Sequence, residues 1–459
     1  MKKVKSALAL LLAALMFAGC FATASAAKIE EEEPNNAADT ATVFEIGKKI
    51  EGTLGSADDV DCYKFEAAKT GLATVAFEHA AVAAAEASVT YFTVTAYNAA
   101  TQTAVSEITS AGSSTSDKAE FIVMAGEEYI VAVKKGMVYD GTVGYSVTVT
   151  VDESIASESE PNDTFDKANK FELSVSGNAK YYYGAIAEGD KDLFKVTVPS
   201  NGVLNLYLYN EFSPKGNFTA RLLAFEEDAN GAQAAREVTS IAVTDKEESK
   251  VGPSVCVAAG DYLLEISGET GSYKTRVLFR AAANTETENN DSSLLADEIK
   301  IGTAYKATLD EKADKDYFQF VVPAGNKGYD ITFTATNSAK WNVRLLNSDS
   351  VAVADTLKVN ATDGNKTAKL ETYPLDAGTY YIEVTAGEEK FDSDIYEIKV
   401  TEKTASIEPE KPKSLIDRIK ELNWGALADN LAGWFEQIDL MGLISDIIKS
   451  ISMVFAMFG

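Results

Sequence analysis

The sequence has a single histidine, His79, and three cysteines, Cys20, Cys62 and Cys256. A Ser-His-Asp or Cys-His constellation would have to be built on His79, yet no nucleophile motif lies near it and Gly-x-Ser-x-Gly is absent. It follows Phe77-Glu78 at the end of a strand-like run, so a surface or loop position is expected. Histidine-rich zinc sites are excluded. Basic residues are also scarce, 42 Lys and Arg against 70 Asp and Glu, for a net charge of −28. Such a surface repels phosphate backbones, which argues against nucleic acid as a partner. The acidity leaves two readings open, solvation of an exported chain or a use in cation binding.

Long apolar runs outside the two termini are missing too. At the N-terminus Lys2, Lys3 and Lys5 precede an apolar stretch from Ala7 to Ala18 and then Ala24-Ser25-Ala26. This is the pattern of a secretory signal peptide over residues 1–26, too short for a spanning helix. Phe17-Ala18-Gly19-Cys20 offers a second reading, a lipoprotein processing site that would acylate Cys20. The expected location is therefore secreted and extracellular, or associated with the cell envelope. Cys62 and Cys256 occupy non-equivalent positions in different repeats, so no disulfide framework is expected and both read as packed small hydrophobes.

What the sequence does have is a domain-length repeat. Glu31-Glu32-Glu33-Pro34-Asn35-Asn36 returns as Glu158-Ser159-Glu160-Pro161-Asn162-Asp163 and as Glu286-Thr287-Glu288-Asn289-Asn290-Asp291. Glu33 and Glu160 are 127 residues apart, Glu160 and Glu288 128. Each opening is followed by two aspartates one residue apart that lead into an alternating strand: Asp59 and Asp61, Asp190 and Asp192, Asp314 and Asp316. Each copy closes on an Ala-Gly turn and a second alternating run, as in Ala377-Gly378-Thr379-Tyr380-Tyr381-Ile382. Thr, Val, Tyr and Phe at period two, punctuated by Gly, Asn and Asp, read as short strands. The fold class is all-β: three tandem antiparallel sandwiches over 27–152, 153–282 and 283–402. Residues 80–88, rich in alanine, read equally as a helical turn or a loop.

The shared order of these three landmarks resembles the bacterial pre-peptidase C-terminal domain, three times over, across nearly all of residues 30–402. The resemblance implies a jelly-roll-like sandwich, found appended to secreted peptidases and related to the collagen-binding domains of clostridial collagenases. Matrix or substrate binding and calcium-dependent stabilisation are the roles it implies.

Calcium takes six to eight oxygen ligands, for which carboxylates and amide carbonyls serve. Glu158, Glu160, Asn162 and Asp163 place four such groups in six residues, and in an extended segment the first three share a face. By the resemblance, Asp190 and Asp192 complete the set. The third repeat offers Glu286, Glu288, Asn290, Asp291, Asp314 and Asp316, with Asn289 at the proline position. The first offers Glu31, Glu33, Asn35, Asn36, Asp59 and Asp61, with an amide in place of one carboxylate, so a weaker site is expected there. The alternative is that these residues cap turns in a solvated linker.

Residues 403–413 form a charged, Pro-containing linker, and 414–459 carry apolar residues at spacings of three and four, an amphipathic helical tail. Such a tail could pack on itself, self-associate, or lie on a membrane surface. No stretch is left over to house a peptidase. The sequence thus reads as a non-enzymatic, secreted binding or adhesion protein that engages an extracellular matrix protein or polysaccharide, with structural calcium. Tyr181-Tyr182-Tyr183 could supply contacts, or be buried. Two further readings are a spacer that displays the tail and a diverged hydrolase accessory protein.

Overall fold

The computed structural model describes residues 29–82, 88–227, 233–325, 327–335, 339–361, 364, 366–387, 395–403 and 449. The expected signal peptide, Cys20, the middle of the alanine-rich segment, nearly all of the linker and, except for Lys449, the helical tail lie outside these residues.

Period-two alternation buries one face of a strand, and two such sheets must cover each other. Gly71–His79 and Tyr329–Ala335 bury every second side chain. In the first repeat one sheet runs in the order Ile29–Glu30, Lys49–Gly52, Tyr145–Asp152, Gly71–His79, Ser116–Val123. The other runs Thr42–Val43, Val60–Glu66, Glu128–Lys135, Thr90–Asn98, Ala104–Ala111. Consecutive strands mostly switch sheets, which is jelly-roll-like wiring.

The second repeat has the same two orders: Ala156–Ser157, Tyr182–Ile186, Gly271–Ala281, Gly202–Tyr209, Ser249–Val251, and Asn169–Phe171, Lys191–Val198, Gly260–Gly268, Phe218–Glu227, Gln233–Val243. Val255–Val257 adds to the Gly202–Tyr209 edge. In the third, Asp297–Glu298, Lys315–Val322, Gly378–Ala386, Lys340–Leu346 and Leu357–Asn360 form one sheet, and Ala304–Ala307, Tyr396–Glu402, Tyr329–Ala335 and Lys366–Glu371 the other. The missing first strand of that sheet is reduced to a parallel bridge between Thr285 and Lys306.

One apolar cluster is drawn wholly from the first repeat, around Phe65, Phe77 and Phe121, and another wholly from the second, around Phe194, Phe218 and Tyr273. The chain divides into two compact units, the larger being Met1–Val321, Ile331–Leu370 and Gly378–Thr401. In the smaller, Val322–Asp330, Glu371–Ala377 and Glu402–Gly459, Lys403 Nζ lies 3.2 Å from Asp330 and 3.1 Å from Glu371.

Successive repeats meet within the larger unit at corresponding edge strands, each through a backbone amide given to a hydroxyl of the next repeat. The Ile122 amide donates to Ser272 Oγ (2.9 Å), and the Cys256 amide to Thr308 Oγ1 (3.1 Å). Cys62 and Cys256 are buried and unpaired.

His79 departs from expectation. It is 6% exposed, with Nδ1 2.8 Å from the Ala80 carbonyl and Nε2 3.1 Å from Ser110 Oγ. The strand's inward alternation runs on through its last residue, so the imidazole ends between sheets rather than in a loop.

Replacing Phe194, fully buried beside Phe171 and Tyr182, by Ala should cost the second repeat about 3–5 kcal/mol. Calorimetry should show one transition moved down and the others kept. A uniform downward shift of the whole melting profile would contradict separate cores.

Candidate metal centre

In each repeat the opening segment brings its first glutamate beneath the sheet. The carboxylate of Glu31 accepts the Thr53 amide (2.8 Å), that of Glu158 the Ala185 amide (2.6 Å), and that of Glu286 the Thr308 amide. The second aspartate of the Asp-x-Asp pair stands at the start of an inward-facing strand, so Asp61, Asp192 and Asp316 are each 0% exposed. The first aspartate caps its own loop: Asp59 accepts the Gly55 amide (2.6 Å), Asp190 the Ala187 amide (3.2 Å) and Asp314 the Asp310 amide (2.7 Å).

These placements gather carboxylates. Glu31, Glu33 and Asp61 put oxygens within 4.8 Å of one another, as do Glu158, Glu160 and Asp192, and Glu286, Glu288 and Asp316. The second and third repeats carry an adjacent group each, Glu160 with Asp163 and Asp190, and Glu288 with Asp291 and Asp314. Glu160 and Glu288 thus belong to two groups at once. In the first repeat the corresponding second group has Asn36 where the others have Asp163 and Asp291.

Burial and mutual repulsion shift these acids upward, against only one nearby cation among the described residues, Arg236 beside Glu288. Desolvation first, then the neighbouring Glu158 charge, pushes Asp192 up to about 10. Desolvation likewise leads for Asp61 and Glu288, each at about 8, and for Glu158, Glu160 and Asp314, each at about 7. Glu286 and Asp316 rise well above the carboxylate range for the same reason. Buried oxygens here also lack donors: both of Asp192, Oδ1 of Asp61 and Asp316, Oε2 of Glu286 and Oε1 of Glu288. Such groups are costly unless paired or coordinated, and an oxygen-rich, all-acceptor set fits a hard divalent cation.

The asparagines behave differently from the extended shared face expected of them. Asn35, Asn162 and Asn290 are fully buried, but their amides turn back to Glu33 (2.9 Å), Glu160 (2.9 Å) and Glu288 (3.4 Å) two residues earlier. The segment bends at Glu33, Glu160 and Glu288, and the amide two residues on folds back onto that glutamate's carboxylate. Asn162 Nδ2 donates to Glu158 Oε2 (3.2 Å) and its Oδ1 accepts the Leu193 amide (3.3 Å), tying opening segment to strand.

Sequence reasoning missed the tyrosines that close each cluster. From the last strand of the repeat, Tyr145 donates to Asp61, Tyr273 to Glu158 (3.4 Å) and Tyr396 to Asp316 (2.5 Å). Their recurrence, 128 residues from Tyr145 to Tyr273 and 123 to Tyr396, was the available signal. Arg236 of the second repeat was missed as well; it pairs with Asp310 of the third, in a cleft of about 780 Å³ that Glu288, Asp291 and Asp314 also line. Nothing in the sequence aligned those two positions.

The profile of the bacterial pre-peptidase C-terminal domain matches residues 314–386. No curated protein matches the chain. Among solved structures, the pre-peptidase C-terminal domain of a collagenase from Bacillus anthracis is 19% identical, covering 24% of this chain and 94% of its own, with a TM-score of 0.19. The tandem CBM22 modules of Xyn10C from Paenibacillus barcinonensis are 13% identical (46% and 82% covered, TM-score 0.17). Tandem CBM51 modules of a family 98 glycoside hydrolase from Streptococcus pneumoniae are 8% identical (78% and 83%, TM-score 0.18). In its third repeat, at residues 314–386, the chain carries a bacterial pre-peptidase C-terminal domain.

Proposed function

We propose that the protein is an exported, non-catalytic binding array of three pre-peptidase C-terminal-type sandwiches, each locked by calcium at its opening and engaging an extracellular protein or polysaccharide. The observation that carries this is the threefold recurrence of one carboxylate cluster built on a fully buried aspartate. A reacting centre would be built once; a cluster rebuilt in every repeat belongs to the framework. Glu31, Glu33 and Asp61 would hold one ion. Glu158, Glu160 and Asp192 with Asp163 and Asp190 would hold two, and the third repeat likewise two through Glu288. A bound cation supplies the missing positive charge, ties the opening segment to the strand, and keeps the acids ionised. In both joints the hydroxyl that receives the preceding repeat's amide sits at this cluster, Thr308 Oγ1 contacting Glu286 directly (3.1 Å) and Ser272 pairing with Ala185.

Calcium titration followed by native mass spectrometry should count five ions per chain, one for each group. At a hundredfold excess over Kd a single site adds about 2.7 kcal/mol, seen as a raised melting temperature. An unchanged melting curve with and without chelator would remove the calcium from this reading. Asp192→Asn should lower the count and abolish calcium's effect on the second repeat, while leaving the chelated protein at least as stable, since Asn is buried without having to take up a proton.

The pH dependence has a defined sign. Folded values of about 7 and 8 for Glu158, Glu160, Asp314, Asp61 and Glu288 lie above the roughly 4 of an unfolded carboxylate. The folded chain then binds more protons than the unfolded one, so stability is full below pH about 4 and is lost as pH rises through 7 to 8. In chelator the melting temperature should fall from pH 5 to pH 8, and the increment from calcium should grow over the same range. A chelated protein that gains stability on that ascent would contradict the cluster's assigned electrostatics.

A further inference from the structure

The outer face of one sheet in the second repeat carries an arrangement that the framework does not need. Across three neighbouring strands Tyr183, Lys274 and Tyr209 are register partners, and one row further Arg276 partners Tyr207. The Tyr181 ring completes that second row, 5.4 Å from the Arg276 guanidinium carbon. Tyr182 between them points the other way and stacks on Phe171 in the core, so the triplet divides into two outward rings and one buried ring.

The two cations differ. Lys274 lies 4.6 Å from the Tyr209 centroid and 2.5 Å from Glu211, so its charge is matched. The Arg276 guanidinium carbon lies over the Tyr207 ring, 3.9 Å from the centroid, and its Nε is buried with no hydrogen-bond acceptor. Among the described residues Arg221, Arg236 and Arg344 pair with carboxylates and Arg280 donates to Asn205; Arg276 meets only rings. In a chain with this excess of acids, an arginine kept away from all of them is a specific placement. The ring contact holds the guanidinium but satisfies none of its N–H donors; with Nε buried, the two Nη groups form the end-on fork offered to a carboxylate.

The corresponding positions in the other repeats are Ser146 and Thr148, and Glu397 and Lys399, with no such ladder. The carboxylate clusters recur; this face does not, which separates it from the common scaffold.

We infer that this face, Tyr181, Tyr183, Tyr207 and Tyr209 around Arg276, binds a glycan in which an isolated carboxylate-bearing sugar stands among neutral ones. This deepens the binding role proposed above and rests on it. Arg276 takes the carboxylate, while tyrosine rings and hydroxyls meet the apolar faces and hydroxyls of adjoining sugars. The net charge of −28 opposes a densely anionic polymer, but beyond a Debye length of about 8–10 Å it is screened from a single carboxylate. The same chemistry in an acidic peptide would lack the sugar faces that the rings address.

The test uses the full chain and a sparsely charged uronic-acid polysaccharide, with its carboxyl-reduced form and a heparin-type polyanion beside it. Wild type should bind the uronate polymer best, and Arg276→Gln should weaken that binding roughly tenfold or more. Arg276→Lys should fall between them, because it keeps charge without the fork. Unchanged melting temperature and calcium content in the variants would show the fold intact. Equal binding by wild type and Arg276→Gln would overturn this face as the site while leaving a binding array. Preference for the reduced polymer, for heparin or for a glutamate-rich peptide would overturn the ligand class. No retention of any glycan, with a matrix protein still captured, would overturn this inference and spare the broader one; capture of neither would overturn both.

Discussion

Each repeat depends on one constraint: several carboxylates enclosed where a sandwich would ordinarily place apolar side chains. Asp61, Asp192 and Asp316 lead strands whose next inward residues are core aromatics or aliphatics, so they cannot turn outward without pulling the strand out of register. Their desolvation is offset only in part by the tyrosine hydroxyls and backbone amides around them. The strand that makes the core is thus the strand that creates the charge problem, which the proposed divalent cation would relieve.

The joints between repeats inherit this. Ile122 and Cys256 stand at corresponding places on the edge strand of their repeats, and each gives its amide to a hydroxyl at the next repeat's carboxylate cluster. At the second joint the Arg236–Asp310 pair stands beside Glu288: the Asp310 charge adds to the rise of the Glu288 pKa, and the Arg236 charge offsets that rise in part. Each joint thus sets the preceding repeat's edge strand beside the next repeat's cluster. That placement also explains why Thr308 carries a hydroxyl where the second repeat has Ala185: there the neighbouring strand supplies Ser272 at the paired position.

Much of this was legible in the residues. The recurrence of Glu-x-Glu and Asp-x-Asp at 127 and 128 residues marked three units, and period-two alternation marked the strands. The same alternation should have placed His79 inside, since residues 71, 73, 75 and 77 face the core before it. The bend before Asn35, Asn162 and Asn290 was not legible, because an extended reading points the glutamates that accept their amides elsewhere. The closing tyrosines left only their recurrence as a signal, since their hydroxyls reach the clusters from strands 80 or more residues away, as in Tyr145 with Asp61.

By itself, then, the sequence determined the all-β class, the threefold repetition and which acids recur, since hydrophobic periodicity and residue identity are local properties of a chain. Only the tertiary structure decided that Glu160 and Glu288 each serve two carboxylate groups, that Arg276 alone among the described arginines faces rings instead of acids, and that Tyr182 is core while its neighbours are surface. Those outcomes depend on which strands pair and in what register, and pairing between distant strands is set by how whole sheets bury their apolar faces against each other.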